Sequence, residues 1–166
     1  MKKLTLFFAT LMLIAGSCKK EDACPFTESG RSASVDERAT IAGYLSTNSI
    51  AATEHPSGVF YTIVSPGAGA TPAICSGINV KYKGSLIPSG AQFDATVGNS
   101  SISFQLGELI VGWQKALPMI KAGGKINLYI PPSLGYGAQP VYDQVGDIRI
   151  PPNSYLKFEI ELLDVQ

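Results

Sequence analysis

The chain is poor in the residues on which much enzyme chemistry depends. Its 166 residues include one histidine, one tryptophan and three cysteines. The histidine, His55, stands in the turn "EHPSG", so any Ser-His-Asp arrangement would hang on that single residue. No Gly-x-Ser-x-Gly elbow accompanies it. Cys24, Cys75 and His55 lack the C-x-x-C or H-x-x-x-H spacing of a zinc site, and the acidic residues show no calcium-loop pattern. The glycine-rich "SPGAGAT" lacks the Lys-Ser/Thr step of a phosphate loop. No metal and no cofactor is therefore expected. Thirteen basic residues face 13 acidic ones with no basic stripe, which excludes a nucleic-acid backbone as partner. Long apolar runs are missing as well. The run "LTLFFATLMLIAG" falls short of the ~20 residues that a membrane-spanning helix requires.

What that run has instead is a context. Lys2 and Lys3 precede it and Gly16-Ser17-Cys18 closes it, a basic start, a short apolar stretch and small residues before a cysteine. The ending resembles a bacterial lipobox, with Ala15 where leucine is usual. Residues 1–17 are thus expected to be a lipoprotein signal and Cys18 the lipidated residue. Such a chain would sit in the cell envelope, anchored to a membrane, with the outer membrane expected, facing the periplasm or, as the acidic residues of "KKED" would mark, the cell surface. Cleavage removes Lys2 and Lys3, so 13 basic residues become 11 against 13 acidic. Cys24 and Cys75 remain as an even pair in an oxidising compartment and are expected to form a disulfide.

Residues 18–33 are polar, with Pro and Gly, and read as a tether. In "SVDERATIAGYLSTN", Ser34 and Glu37 make a capping box that opens a short helix, placed with its connector over 34–57. No heptad repeat is sustained, so a monomer is expected. From residue 58 the period becomes two. "GVFYTIV", "INVKYKGSL", "SISFQL", "KINLYI" and "YLKFEIELL" alternate apolar and polar residues as half-buried strands do. Between them "LIVGWQKALPMI" carries Ile110, Trp113, Ala116, Leu117 and Ile120 at helical spacing. This pattern predicts an α+β domain over 58–166, a curved sheet wrapped over one short helix. On pattern alone Trp113 would be a core anchor, since its ring buries a large apolar area. Tyr136, bracketed by glycines in "SLGYGA", is harder to explain structurally, because such a loop needs no large aromatic.

"VKYKGSLIPSGAQFD", "FQLGELIVGWQKAL", "KAGGKINLYIPPSLGYG" and "IPPNSYLKFEIELL" occur in the order in which FKBP-type peptidyl-prolyl cis-trans isomerases carry such motifs, and the chain from about residue 58 onward resembles that family. The resemblance implies a five- to six-stranded antiparallel sheet curled round a short helix, with an apolar pocket between them. It assigns Asp94, Tyr136 and Phe158 to the catalytic set. Tyr82, Phe93, Ile102, Leu109, Ile110, Trp113 and Ile150 become the substrate-binding surface, with Trp113 as its floor and the Ile110 N–H as a donor to a ligand carbonyl. Proline-containing polypeptides are the implied substrates, and macrolides the implied small-molecule ligands. The alternative is a non-catalytic peptide-binding or chaperone module using the same pocket. Two departures bear on the site. Ile102 stands where well-studied members have an aromatic wall, and "ATVGNSS" supplies no arginine to partner Asp94. The loop 138–150 is longer than in minimal members and would form a flap over the pocket.

Overall fold

The structure, a computed structural model, describes residues 24–166. Residues 1–17, expected to be a signal, and Cys18 lie outside the described residues. Helix α1 (Val35–Thr47) opens as its capping box predicts: the Ser34 hydroxyl accepts from the Glu37 N–H, and the Glu37 carboxylate accepts from the Ser34 N–H. Strands β1 (Thr53–Glu54), β2 (Phe60–Ser65), β3 (Gly77–Ile87), β4 (Gln92–Ala95) and β5 (Ile102–Gln105) precede helix α2 (Val111–Ala116). Strand β6 (Gly124–Ile130), a two-stranded hairpin of β7 (Val141–Tyr142) and β8 (Ile148–Ile150), and β9 (Tyr155–Val165) follow. The main sheet is antiparallel throughout, ordered β1-β2-β6-β9-β3-β4, with β5 beside the first half of β3. It has seven strands, more than the five or six expected, because the short β1 extends one edge.

The pleat sorts the side chains by face. Val80 on β3, Ile126 and Leu128 on β6, and Leu156, Phe158, Ile160 and Leu162 on β9 are buried on the concave side, where α2 adds Trp113, Ala116 and then Leu117. Leu117 and Ile120 are fully buried against the sheet. The α-helix proper is shorter than the apolar period suggested. Pro118 carries no N–H to continue the helical ladder, and the chain tightens into a 3-10 turn over Leu117–Met119. On the convex side α1 sets Ile41 and Leu45 onto Phe60 and Tyr129, which are partners across β2 and β6.

Residues 24–33 form no regular element, yet they are attached along their length. Cys24 and Cys75 are joined as a disulfide, with Cα atoms 5.8 Å apart across 51 residues of sequence. The Phe26 ring lies so close over Gly107 that a Cβ there would overlap it. Glu28 pairs with Lys115 at 3.8 Å, and the Ala33 N–H donates to the Ser57 carbonyl at 2.8 Å. Further along, Glu37 reaches the turn over Pro132–Leu134, accepting from the Ser133 N–H at 2.9 Å and its hydroxyl at 2.8 Å.

Candidate active site

Four aromatic rings form a cup on the concave face. Trp113 enters in the first turn of α2, directly after Gly112. A Cβ at Gly112 would lie 2.6 Å from Ile130 Cδ1, so the glycine lets α2 settle against β6. Phe158 of β9 and Tyr82 of β3 meet the indole edge-on, at centroid separations of 5.3 and 5.5 Å. Phe104 of β5 does the same at 6.4 Å. Edge-to-face contacts suit the ring quadrupoles and hold each ring at a set angle. Gly84 makes the room on β3: a Cβ there would lie 2.6 Å from Phe93 Cζ and 2.9 Å from Phe158 Cε1. The indole N–H is buried with no acceptor among the described residues, an arrangement that stability alone disfavours by ~1–3 kcal/mol.

The cup holds a half-open cavity of about 180 Å³, lined by Tyr82, Asp94, Phe104, Leu109, Ile110, Trp113, Tyr136 and Phe158. Ile110 caps α2 through its carbonyl, which accepts from the Trp113 N–H at 2.9 Å and the Gln114 N–H at 3.3 Å. Gln114 Nε2 donates to the Leu109 carbonyl at 2.7 Å, so the wall segment is held from behind. A wider, open depression of about 450 Å³ lies against the outer face, among Lys81, Lys83, Lys125, Glu159 and Glu161. Its charged lining, partly tied up in the Lys125–Glu161 pair, offers nothing to a proline ring.

The polar rim centres on Asp94. Strand β4 carries a bulge at Phe93: Gly84 pairs with Asp94 and Ser85 with Gln92, leaving Phe93 as the extra residue. The bulge explains how two adjacent residues can both serve the concave side, where strict alternation would send one outward. Asp94 Oδ2 accepts from the Tyr82 hydroxyl at 2.5 Å, and Oδ1 accepts from Arg149 Nη2 at 2.9 Å and from the Ala95 N–H at 3.0 Å. Burial pushes the Tyr82 phenol well above its ordinary range, reinforced by its bond to Asp94. Burial also raises the Tyr136 phenol, with Asp94 adding to the shift and Arg149 opposing it. Both hydroxyls therefore stay protonated at neutral pH; that of Tyr82 donates to Asp94. Tyr136, 39% exposed, stands at the mouth.

Several sequence expectations need correction. Ile102 does not line the cavity and is 41% exposed. It shares a face with Phe104 on β5, Ile102 standing opposite Val80 and Phe104 opposite Ile78, but it is the Phe104 ring that meets Trp113 and Tyr82, at 6.4 and 6.2 Å. The aromatic wall is thus present, two residues later than expected. Phe93 and Ile150 are buried behind the cavity, Phe93 edge-on to Phe158 at 5.5 Å and Ile150 within the core. Asp94 does have an arginine. It is Arg149, delivered by the β7–β8 hairpin from 55 residues away. Period two in "SISFQL" could have flagged Phe104, whereas nothing near Asp94 in the sequence points to Arg149.

Comparison with known proteins gives this geometry its relatives. The family profile described as FKBP-type peptidyl-prolyl cis-trans isomerase matches residues 69–163. A probable FKBP-type peptidyl-prolyl cis-trans isomerase of Haemophilus influenzae is 43% identical over 110 residues, covering 66% of this chain and 43% of the relative. The isomerase FkpA of Escherichia coli K12 is 44% identical over 110 residues, covering 66% of this chain and 38% of its own. The chain thus aligns with less than half the length of these relatives. The crystal structure of E. coli FkpA superposes with a TM-score of 0.66 at 38% identity, covering 79% of this chain and 60% of that one. A peptidyl-prolyl cis-trans isomerase from Pseudomonas syringae superposes with a TM-score of 0.65 at 30% identity, covering 82% of this chain and 99% of that one. With its profile match spanning more than half the chain and its curved sheet closed over an aromatic cup, this protein belongs to the FKBP-type peptidyl-prolyl cis-trans isomerase family.

Proposed function

We propose that the chain catalyses cis-trans isomerisation of X-Pro bonds in polypeptides and so assists the folding of envelope or secreted proteins. The observation that carries this reading is the aromatic cup of Trp113, Tyr82, Phe104 and Phe158 beneath a sparse polar rim. Rotation about an X-Pro bond meets a barrier of ~20 kcal/mol from amide resonance, while the isomers themselves differ by only ~1 kcal/mol. In the twisted transition state that resonance is lost and the amide is less charge-separated. An apolar pocket therefore stabilises it relative to the planar ground state, and each ~1.4 kcal/mol of such preference gives about tenfold in rate.

The proline ring rests on Trp113, flanked by Phe158, Tyr82 and Phe104. The Ile110 N–H and the Tyr136 hydroxyl, both in the cavity lining, would hold substrate carbonyls in the twisted orientation as preorganised donors. No proton need be transferred. Asp94 has both oxygens engaged, so its part is to fix the Tyr82 wall and set the charge at the rim. Macrolide ligands would occupy the same cup.

The test is a protease-free isomerisation assay on an X-Pro peptide. Asp94→Ala is expected to lower kcat/KM about tenfold, the size of one lost charge-assisted hydrogen bond at a partly desolvated site. Wild-type rates at the uncatalysed background, with peptide binding retained, would replace catalysis by capture.

The same proposal places the protein, as a monomer, in the cell envelope, anchored through lipid on Cys18 and most consistently at the outer membrane. Lys2, Lys3, the short apolar run and Gly16-Ser17-Cys18 support this. Labelled palmitate is expected to enter the wild type and not Cys18→Ser. Equal labelling of the two would remove the anchor.

A further inference from the structure

Hairpin β7–β8 pairs with no strand of the main sheet. Its turn is self-contained: the Asp143 N–H donates to the Asp147 carbonyl at 2.9 Å, and Asp143 Oδ1 accepts from the Val145 and Asp147 N–H groups at 2.9 and 3.0 Å. Tyr142, Val145 and Ile148 face solvent. Val141 of β7 packs against the edge of the core, and two consecutive residues of β8 complete the attachment of the hairpin to the domain. Ile150 is buried in the core beneath it, and Arg149 reaches across the pocket rim.

The Arg149 contact joins two features created by the bulge. A bulged residue drops out of the strand ladder, so the Phe93 carbonyl needs a donor from elsewhere. Arg149 Nε donates to that carbonyl, and Nη2 of the same guanidinium donates to Asp94 Oδ1. A planar fork with several fixed donors can satisfy two neighbouring acceptors at once, whereas a lysine ammonium is a point charge on a flexible stem. Asp94 in turn accepts from Tyr82, whose ring is a wall of the cup.

We propose that Arg149 is a positioning residue of the isomerase site: its guanidinium latches the β7–β8 hairpin to the bulge at Phe93-Asp94, so that hairpin, Asp94 and the Tyr82 wall are set as one unit. This rests on the isomerase reading of the cup for its effect on rate, and on the fold alone for the latch. The hairpin supplies from a distant segment the cation that the loop after Asp94 does not carry, and its attachment becomes part of how the pocket is organised.

The test combines kinetics with amide hydrogen exchange on the free protein. Arg149→Met is expected to lower kcat/KM about fivefold, a fraction of a fully buried charge-assisted bond because the pair is partly exposed. It is also expected to speed exchange across residues 141–150 while leaving that of β6 and β9 unchanged. Arg149→Lys should recover less than half of the loss, since charge without the fork does not rebuild both bonds. Combined with Asp94→Ala, Arg149→Met should add little further loss in rate, the non-additivity of residues acting as a unit. Full rescue by lysine, additive losses in the double variant, or wild-type exchange in the hairpin of Arg149→Met would each overturn the latch. Background-level rates in the wild type would refute the isomerase reading instead, and the exchange data, which need no substrate, would still decide the latch.

Discussion

Phe158→Ala is expected to lower kcat/KM for X-Pro isomerisation about a hundredfold, equivalent to ~3 kcal/mol of lost transition-state stabilisation. The ring is 3% exposed and touches the site on three sides: Trp113 at 5.3 Å, Phe93 at 5.5 Å and Tyr82 at 6.4 Å between centroids. Removing it opens the cup toward the space over Gly84, which the two phenyl rings now fill, and admits water where the twisted amide requires its exclusion. The indole loses an edge-on neighbour and the angle that contact sets. Folding should suffer too, by ~3–5 kcal/mol for a buried aromatic truncated to alanine. Urea unfolding measured beside the kinetics separates the two effects. Phe158→Leu should restore much of the stability while leaving the rate depressed, because an aliphatic side chain fills volume without presenting a ring edge. A Phe158→Ala variant with wild-type kcat/KM and a shifted unfolding midpoint would show that the ring serves only the core.

The second large effect concerns the cross-link. Replacing Cys24 and Cys75 together by serine is expected to destabilise the protein by ~2–4 kcal/mol. The bond closes a long loop, 51 residues from end to end, and the chain-entropy account puts the upper limit of its effect near ~4 kcal/mol. The lower figure applies to the extent that the extension keeps its other attachments, the Phe26 ring on Gly107, the Glu28–Lys115 pair and the Ala33–Ser57 hydrogen bond. Apart from Ala33, which is buried in the core, these are few and mostly exposed, so residues 24–32 should be the first to lose exchange protection in the variant. Wild type treated with a dithiol reductant should unfold at the same urea concentration as the double variant. Coincident unfolding curves for oxidised wild type and the variant would mean that the bridge contributes nothing to stability.

These two effects differ in how far the sequence foretold them. Phe158 stands in a run whose alternation places it on the same face as Leu156, Ile160 and Leu162, and the four are buried together. The capping box at Ser34 and Glu37 was equally legible, since both of its bonds close within four residues. Period two located the long strands for the same reason: which face a strand side chain takes depends on its immediate neighbours.

Where prediction faltered, the deciding neighbour lay far along the chain or the period slipped by one residue. Ile102 and Phe104 share a face, and the choice between them rests on distant partners: the Phe104 ring meets Trp113 and Tyr82, while Ile102 stays exposed. The bulge at Phe93 breaks the alternation that any pattern assumes, and it is visible only in the pairing of β4 with β3, where the register shifts between Gly84 and Ser85. Glu37 finished its capping box as expected, yet it also holds Ser133, 96 residues away.

The residues themselves determined the long strands, the first helix, the aromatic inventory and the family motifs, because hydrogen bonding over one helical turn and the pleat of a strand are local properties of the chain. Tertiary structure alone decided that Phe104 rather than Ile102 completes the cup, that Gly84 leaves room for two phenyl rings, and that Asp94 receives its arginine from a hairpin 55 residues on. Each of these depends on the sheet having closed around α2, an event that brings distant segments within hydrogen-bond reach and that no local spacing encodes.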